Sequence, residues 1–246
     1  MQIGHIEALF RYPVKSMAGE RLESATLGWH GIEGDRRLAF RRMGDHTGMP
    51  WLTATRLPEL LLYTPLYQVG STKEIPTHVR TPDGRELPVF GEELAADVER
   101  RYGNPVQMLQ FRSGIFDDGI VSVIATDTIQ EIGRLAGLQL DIRRFRPNVL
   151  VRLSQPGAFQ EDEWLGGTLS FGEGADAPAV SITTRDERCA MVNLDPDTAR
   201  PAPEVMKAIV RVNQNNAGVY ATVTRTGRLS VGQTIFLHRA SDQVPR

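Results

Sequence analysis

The sequence predicts a mainly β protein with a few helices, an α+β chain arranged as two strand-rich lobes in close contact. Three observations predict this. Short apolar runs broken by turn residues fill the first hundred positions, only three segments carry helical periodicity, and β-branched or aromatic runs recur from residue 121 onward. At 246 residues the chain can bury a substantial core as one large domain or two small ones.

Taken in order, HIEALFRYPV reads as a strand ending at Pro13, and RLAFRRM as another that stops in the Gly44-Asp45 turn. THVRTPDGRELPVF is a hairpin, because Asp83-Gly84 can adopt the positive φ angles of a tight turn. GEELAADVERRYG is helical, with Leu94 and Val98 four apart and Gly103 as a stop. In TDTIQEIGRLAG, Ile129, Ile132 and Leu135 share a face, Thr126 or Asp127 caps the start and Gly137 closes. In RPAPEVMKAIVRV, Pro201 or Pro203 starts a helix whose stripe is Val205, Ile209 and Val212. VSVIA, NVLVRL, TLSFG, VSITT, YATVT and TIFLHR read as strands, and TRTGRLSVG as a further hairpin. The least defined boundary falls near residues 103 to 117.

Composition excludes several functions. With 28 basic and 30 acidic residues, a net charge of −2 and no Lys/Arg block, neither nucleic acid nor an anionic membrane is expected as a partner. A single cysteine excludes an internal disulfide, a cysteine-rich zinc site and a cluster held by four thiolates of this chain. The N-terminal segment has no basic-apolar leader pattern, and no apolar run approaches membrane-spanning length, so the cytoplasm is the expected compartment. The five histidines lack metal-ligand spacing, and Gly172-x-Gly174-x-x-Ala177 is followed by Pro178 and a strand, which makes it a turn rather than a dinucleotide fingerprint.

Four stretches remain as candidate chemistry. Cys189 follows Arg185 and Arg188, and cationic neighbours favour a thiolate, although free cysteine is often simply packed and the local sequence alone favours that. The LDPDT turn after it, Leu194 to Thr198, is poorly explained by core packing. Lys15-Ser16 at a strand end offers a point charge and a hydroxyl suited to phosphate, with a solvated lysine as the plainer reading. Arg36 in GDRRLAF, and Arg146 with Asn148 across the rigid Pro147, supply further donors for one anionic ligand if the fold gathers them.

The ordered series YPVKS, GDRRLAF, WLTATRLPELLLY, FDDGIVSVIATDTIQEI, RRFRPNVLV, FQEDEWLGGTLSFG, RCAMVNLDPDT and GRLSVGQTIFL resembles MOSC-domain proteins with an N-terminal MOSC β-barrel. That family includes the mitochondrial amidoxime-reducing component and its bacterial relatives, and the resemblance runs over nearly the whole chain. It implies two closely packed β-barrel lobes, residues 1–103 and 104–246, holding a molybdenum cofactor of the molybdopterin type between them. It further implies Cys189 as the molybdenum ligand and Asp118 as the acidic residue near the open side of the metal. Lys15, Ser16 and Arg36 are implied as phosphate contacts, and Arg146 and Asn148 as pterin contacts. Thr183, Thr184 and Arg188 complete the expected cofactor-binding set.

The implied reaction is reduction of N-hydroxylated compounds such as amidoximes, hydroxylamines or N-hydroxylated bases. Some relatives append a ferredoxin-like domain or a membrane anchor, which this sequence lacks, so a separate reductase or redox carrier is expected to supply electrons. The alternative is a carrier of persulfide sulfur on Cys189, or of the molybdenum cofactor itself. Two departures stand out: Met17 where relatives often have cysteine, and Val192 and Asn193 where they have hydroxyl residues, the latter pair bearing on substrate preference.

Overall fold

Strand β1 (Gln2–Arg11) shows how the apolar pattern builds the centre of the molecule. Strict alternation would bury one face only, but a bulge between Ile6 and Ala8 changes the phase of the strand. Ile3, Ile6 and Leu9 therefore point into one core while Ala8 and Phe10 point into another. Glu7, at the bulge, pairs with Arg152 at 2.5 Å and accepts the Thr126 hydroxyl.

The computed structural model describes residues 1–68 and 75–239. After β1 come β2 (Glu20–Leu22), β3 (Ser24–Gly28), β4 (Gly31–Ile32) and β5 (Leu38–Arg42). A 3-10 turn at Pro58–Leu62 leads to β6 (Thr64–Leu66), β7 (His78–Arg80) and β8 (Glu86–Pro88). Then follow α1 (Glu92–Tyr102), β9 (Val106–Gln110), β10 (Val121–Ala125), α2 (Thr126–Ala136) and β11 (Val149–Leu153). The last elements are β12 (Thr168–Phe171), β13 (Ala179–Glu187), α3 (Glu204–Asn213), β14 (Asn216–Arg225), β15 (Gly227–Ser230) and β16 (Thr234–His238).

Seven strands in the order β11-β10-β14-β13-β12-β16-β1 close on themselves through the β1–β11 pairing, and β2 extends the outer edge of β1. Closure removes the exposed edges of an open sheet. The interior holds Ile6, Leu9, Val123, Val151, Phe171 and Ile182 among others. Helices α2 and α3 cover one outer face through Ile129, Ile132, Val205 and Ile209. The first strand of the chain thus completes a barrel whose other six strands come from residues 121–238.

The second lobe joins the β5–β9 pair, the β6-β7-β8 meander and α1 around Val14, Leu38, Phe40, Tyr63, Val79 and Val98. Met17 is fully buried in this core, so its departure from the family pattern is a packing residue. Asp97 on α1 is also buried, and it accepts hydrogen bonds from Tyr63, Arg85, Arg100 and Arg101. Asp97→Ala strands the Tyr63 hydroxyl and removes the arginines' counter-charge, and is expected to destabilise the protein by about 2 kcal/mol in urea unfolding. A loss under about 0.5 kcal/mol would mean that solvent replaces the carboxylate freely.

The mainly β class with helices holds, as does the Asp83-Gly84 hairpin, whose Gly84 has φ +87° between β7 and β8. Three local expectations are corrected. TRTGRLSVG is not a hairpin: β15 leaves β14 and pairs with β3, with Gly227 turning so tightly against Pro178 that a Cβ would lie 2.6 Å from its ring. Neither Thr126 nor Asp127 caps α2; Ala125 is the capping position, and its N–H is taken by the buried Glu161 carboxylate at 3.3 Å. Leu135 and Val212 are exposed, because each lies in the last turn before a left-handed cap, at Gly137 and Gln214. Among the described residues, no helix is long and apolar enough to cross a membrane.

Candidate functional site

A cavity of roughly 550 Å³ opens between the barrel and the second lobe. Residues at or near strand ends supply its walls: Lys15 and Ser16 follow β1, Ser122 is second in β10, Asp186 is second from the end of β13, and Tyr220 lies on β14. Trp51, Thr53 and Thr55 face them from the second lobe. Seven basic and four acidic side chains line the space, a local excess of positive charge on a chain whose net charge is −2. Such a cavity favours an anionic ligand.

Of the seven non-glycine residues with positive φ among the described residues, three lie here: Ser16 at 66°, Arg36 at 49° and Arg146 at 49°. Left-handed backbone costs about 1 kcal/mol or more per non-glycine residue, and such strain collects where a side chain must be aimed. The two guanidiniums flank one ring, with Arg146 Cζ 4.1 Å and Arg36 Cζ 5.2 Å from the Tyr12 centroid. Asp35 anchors this corner from behind, accepting the Tyr12 N–H at 2.7 Å and pairing with Arg36. Burial works against the Arg36 charge, but Asp35 together with Tyr220 and Tyr12 outweighs it and raises the pKa. Arg146 has only the Met17 carbonyl at 2.7 Å and forms no ion pair among the described residues. Burial pushes its pKa down to about 10, with Tyr12 opposing that shift and Arg36 adding to it.

Lys15 is buried, and its ammonium meets Asp117 at 2.7 Å. Burial lowers its pKa, and Asp117 opposes that shift. Cys189 also lines the cavity and is exposed, two residues beyond the end of β13, at the start of a 3-10 turn. The packed thiol that the local sequence favours is therefore overturned. Arg188 is fixed beside it, donating from Nε to Ala217 O and from Nη1 to Phe145 O, each at 2.8 Å, with Nη2 2.9 Å from Asp186 Oδ2. Those bonds make Arg188 a brace for Cys189 more than a free ligand-binding cation.

Asp186 is buried, takes the Ser122 hydroxyl at 3.0 Å on Oδ2, and has no hydrogen-bond partner on Oδ1 among the described residues. Burial raises its pKa to about 6, with Arg188 pulling the other way.

The structure gathers Lys15, Ser16, Arg36, Asp118, Arg146, Arg188 and Cys189 around one cavity. Asn148, Thr183 and Thr184 fall outside its lining. Asn148 is buried behind the wall, donating to Asp35 at 3.1 Å and Phe10 O at 3.3 Å while its Oδ1 accepts the Ser122 N–H. Thr183 and Thr184 are exposed because a register shift between Ile182 and Thr184 turns that stretch of β13 outward, with Thr183 bonded to Tyr220 O. Val192 lines the cavity, whereas Asn193 turns away and accepts the N–H of Met206 in the first turn of α3.

The LDPDT turn braces this wall: Asp195 accepts the N–H groups of Asp197 and Thr198 and holds Arg144 at 3.0 Å. Residues passed over in the sequence reading include Asp35, Asp117, Asp186, Tyr220 and Trp51. Their spacing gave no signal except for Trp51, which opens the WLTATR element and packs edge-on against Phe111 at 5.2 Å.

The family model described as MOSC N-terminal beta barrel domain matches residues 3–119, and the one described as MOSC domain matches residues 77–236. The chain is similar in structure to the YuaD protein from Bacillus subtilis, at 15% identity over 97% of both chains with a TM-score of 0.53. A shorter likeness, to YiiM from Geobacillus stearothermophilus, has 17% identity over 50% of this chain and 55% of that one, with a TM-score of 0.39. No curated protein matches the sequence. With the barrel, the interlobe cavity and both family matches in agreement, the chain belongs to the MOSC family.

Proposed function

We propose that this protein is a cytoplasmic molybdenum-cofactor-dependent oxidoreductase that reduces N-hydroxylated compounds with electrons from a separate carrier. The observation that carries the reading is one cavity lined both by an exposed thiol and by cations held by strained backbone and only partly neutralised.

The residues present fit the cofactor. Arg146 has a guanidinium without a carboxylate partner, and Lys15 is a buried ammonium, so an anionic group would satisfy both. Among the described residues no group of three or more His, Cys, Asp or Glu could hold a metal ion, so Cys189 suits a metal that arrives with other ligands of its own. Lys15, Ser16 and Arg36 would hold the phosphate, Arg146 the pterin, and Cys189 Sγ the molybdenum. When bound, the cofactor supplies the two-electron chemistry that cleaves an N–O bond, with two protons consumed and the oxygen released as water.

The chain's own residues supply position and protons. Tyr12 fixes both guanidiniums, and Arg188 fixes the backbone from which Cys189 projects. Trp51 and Met49 narrow the approach and offer apolar surface to a planar substrate. Asp186 can hold a proton near neutral pH, and the Ser122 hydroxyl links it to the cavity, while Asp118 stands exposed at the rim.

The test is metal analysis of protein made in a cofactor-competent host, with an amidoxime assay driven by a reduced viologen dye. About one molybdenum per chain and amidine formation are expected. A metal-free protein with one extra sulfur in its intact mass, removed by reductant, would instead favour the persulfide carrier, to which an exposed Cys189 is also suited.

A further inference from the structure

The ion pair between Lys15 and Asp117 joins two very different environments across 102 residues of sequence. The side chain of Lys15 is 6% exposed and that of Asp117 is 53% exposed. A buried ammonium needs a counter-charge, whereas a half-exposed carboxylate can return to water at little cost. The two partners are therefore bound to the pair with unequal strength.

The loop that carries Asp117 is built as an arch with fixed ends. On one side, Ile115 N–H donates to Arg36 O at 2.8 Å, and Phe111 N–H donates to Arg37 O at 2.8 Å. On the other, Gly119 packs so closely on Tyr220 that a Cβ would lie 2.4 Å from the tyrosine Cβ. Asp117 lies between these anchors and places its carboxylate against Lys15, in the same cavity as Arg36 and Arg146. Its oxygen occupies the position that an oxygen of a bound anion would take on Lys15.

We propose that Asp117 is a resident competitor for the anion seat, holding Lys15 until a phosphate monoester dianion displaces it. A dianionic phosphate offers two charges and several acceptor oxygens to Lys15, Arg36 and Arg146 together, which a single carboxylate cannot match. A monoanion exchanges one charge for another on Lys15 and gains little. The displaced carboxylate enters solvent, and Asp118, its neighbour in the arch, is carried with it. The proposal rests on the reading of Lys15, Ser16 and Arg36 as a phosphate seat with Arg146 beside it, and not on the redox activity.

The experiment uses the full chain without cofactor. Binding of inorganic phosphate and of acetate is measured by calorimetry at mildly alkaline pH for the wild type, Asp117→Asn and Asp117→Ser. Both variants are expected to bind phosphate about fivefold or more tightly than the wild type. The gain for acetate is expected to be no larger, because any anion that reaches Lys15 displaces Asp117 at the same cost. Lys15→Met in the Asp117→Asn background is expected to remove the gain. Unchanged or weaker phosphate binding in both Asp117 variants overturns the proposal while leaving the seat itself intact. No phosphate binding by any of the proteins overturns both proposal and seat, and molybdenum content then judges the oxidoreductase reading separately.

Discussion

Cys189→Ala is expected to bring molybdenum from about one atom per chain to nearly none, and to abolish amidoxime reduction, with no change in the thermal unfolding midpoint of the metal-free protein. The metal loss follows from donor chemistry. A thiolate is a soft, ionisable ligand, whereas an alanine methyl offers the metal no donor at all. The unchanged stability follows from position. Cys189 is exposed and caps no hydrogen bond with its side chain, so the substitution removes no packed volume and strands no polar group. Arg188, braced by Ala217 and Phe145, keeps the backbone in place in the variant. Elemental analysis beside a melting curve checks both halves. Full metal occupancy in the variant would remove Cys189 from the ligand role.

Glu161→Gln is expected to flatten a pH dependence of stability worth about 3 kcal/mol. The carboxyl of Glu161 is completely buried beside the start of α2, where it accepts the Ala125 N–H and the Thr128 hydroxyl at 2.9 Å. Burial outweighs those hydrogen bonds and raises its pKa to about 7. The folded state therefore binds this proton more tightly than the unfolded chain does. Its contribution is fully present below the unfolded carboxyl range near 4.5, and declines as pH rises through about 7. A glutamine keeps an acceptor for Ala125 and carries no charge at any pH. Urea unfolding of both proteins from pH 4.5 to pH 8 should show the variant gaining about 3 kcal/mol on the wild type across that interval. A constant difference would show that the carboxylate ionises there without penalty.

Two buried carboxyls, Glu161 beside α2 and Asp186 in the cavity wall, illustrate why such groups are not legible in sequence. Glu161 lies 33 residues from Thr128, and Asp186 lies 64 from Ser122, so their raised pKa values come from burial that no local window reveals. Asp35 and Asp117 each sit within recognised elements, GDRRLAF and FDDG, yet only the folded chain shows one beneath Arg36 and the other on Lys15. Asn148, Thr183 and Thr184 show the same dependence on the fold: motif membership points to ligand contact, while the folded chain turns Thr183 and Thr184 outward on β13 and holds the Asn148 amide behind the cavity wall.

The sequence by itself determined the mainly β class, the three helices within a residue or two, the Asp83-Gly84 hairpin and the family. These depend on periodicity, turn chemistry and ordered motifs, which are local or additive along the chain. Only the tertiary structure decided that β1 closes a barrel with strands from residues 121–238, that β15 pairs with β3, and that Cys189 is exposed on the cavity that Lys15, Arg36 and Arg146 also line. The physical reason is the same in each case. Strand partners, burial and the field around a charge are set by residues far apart in sequence, and they take their values only when the chain has closed upon itself.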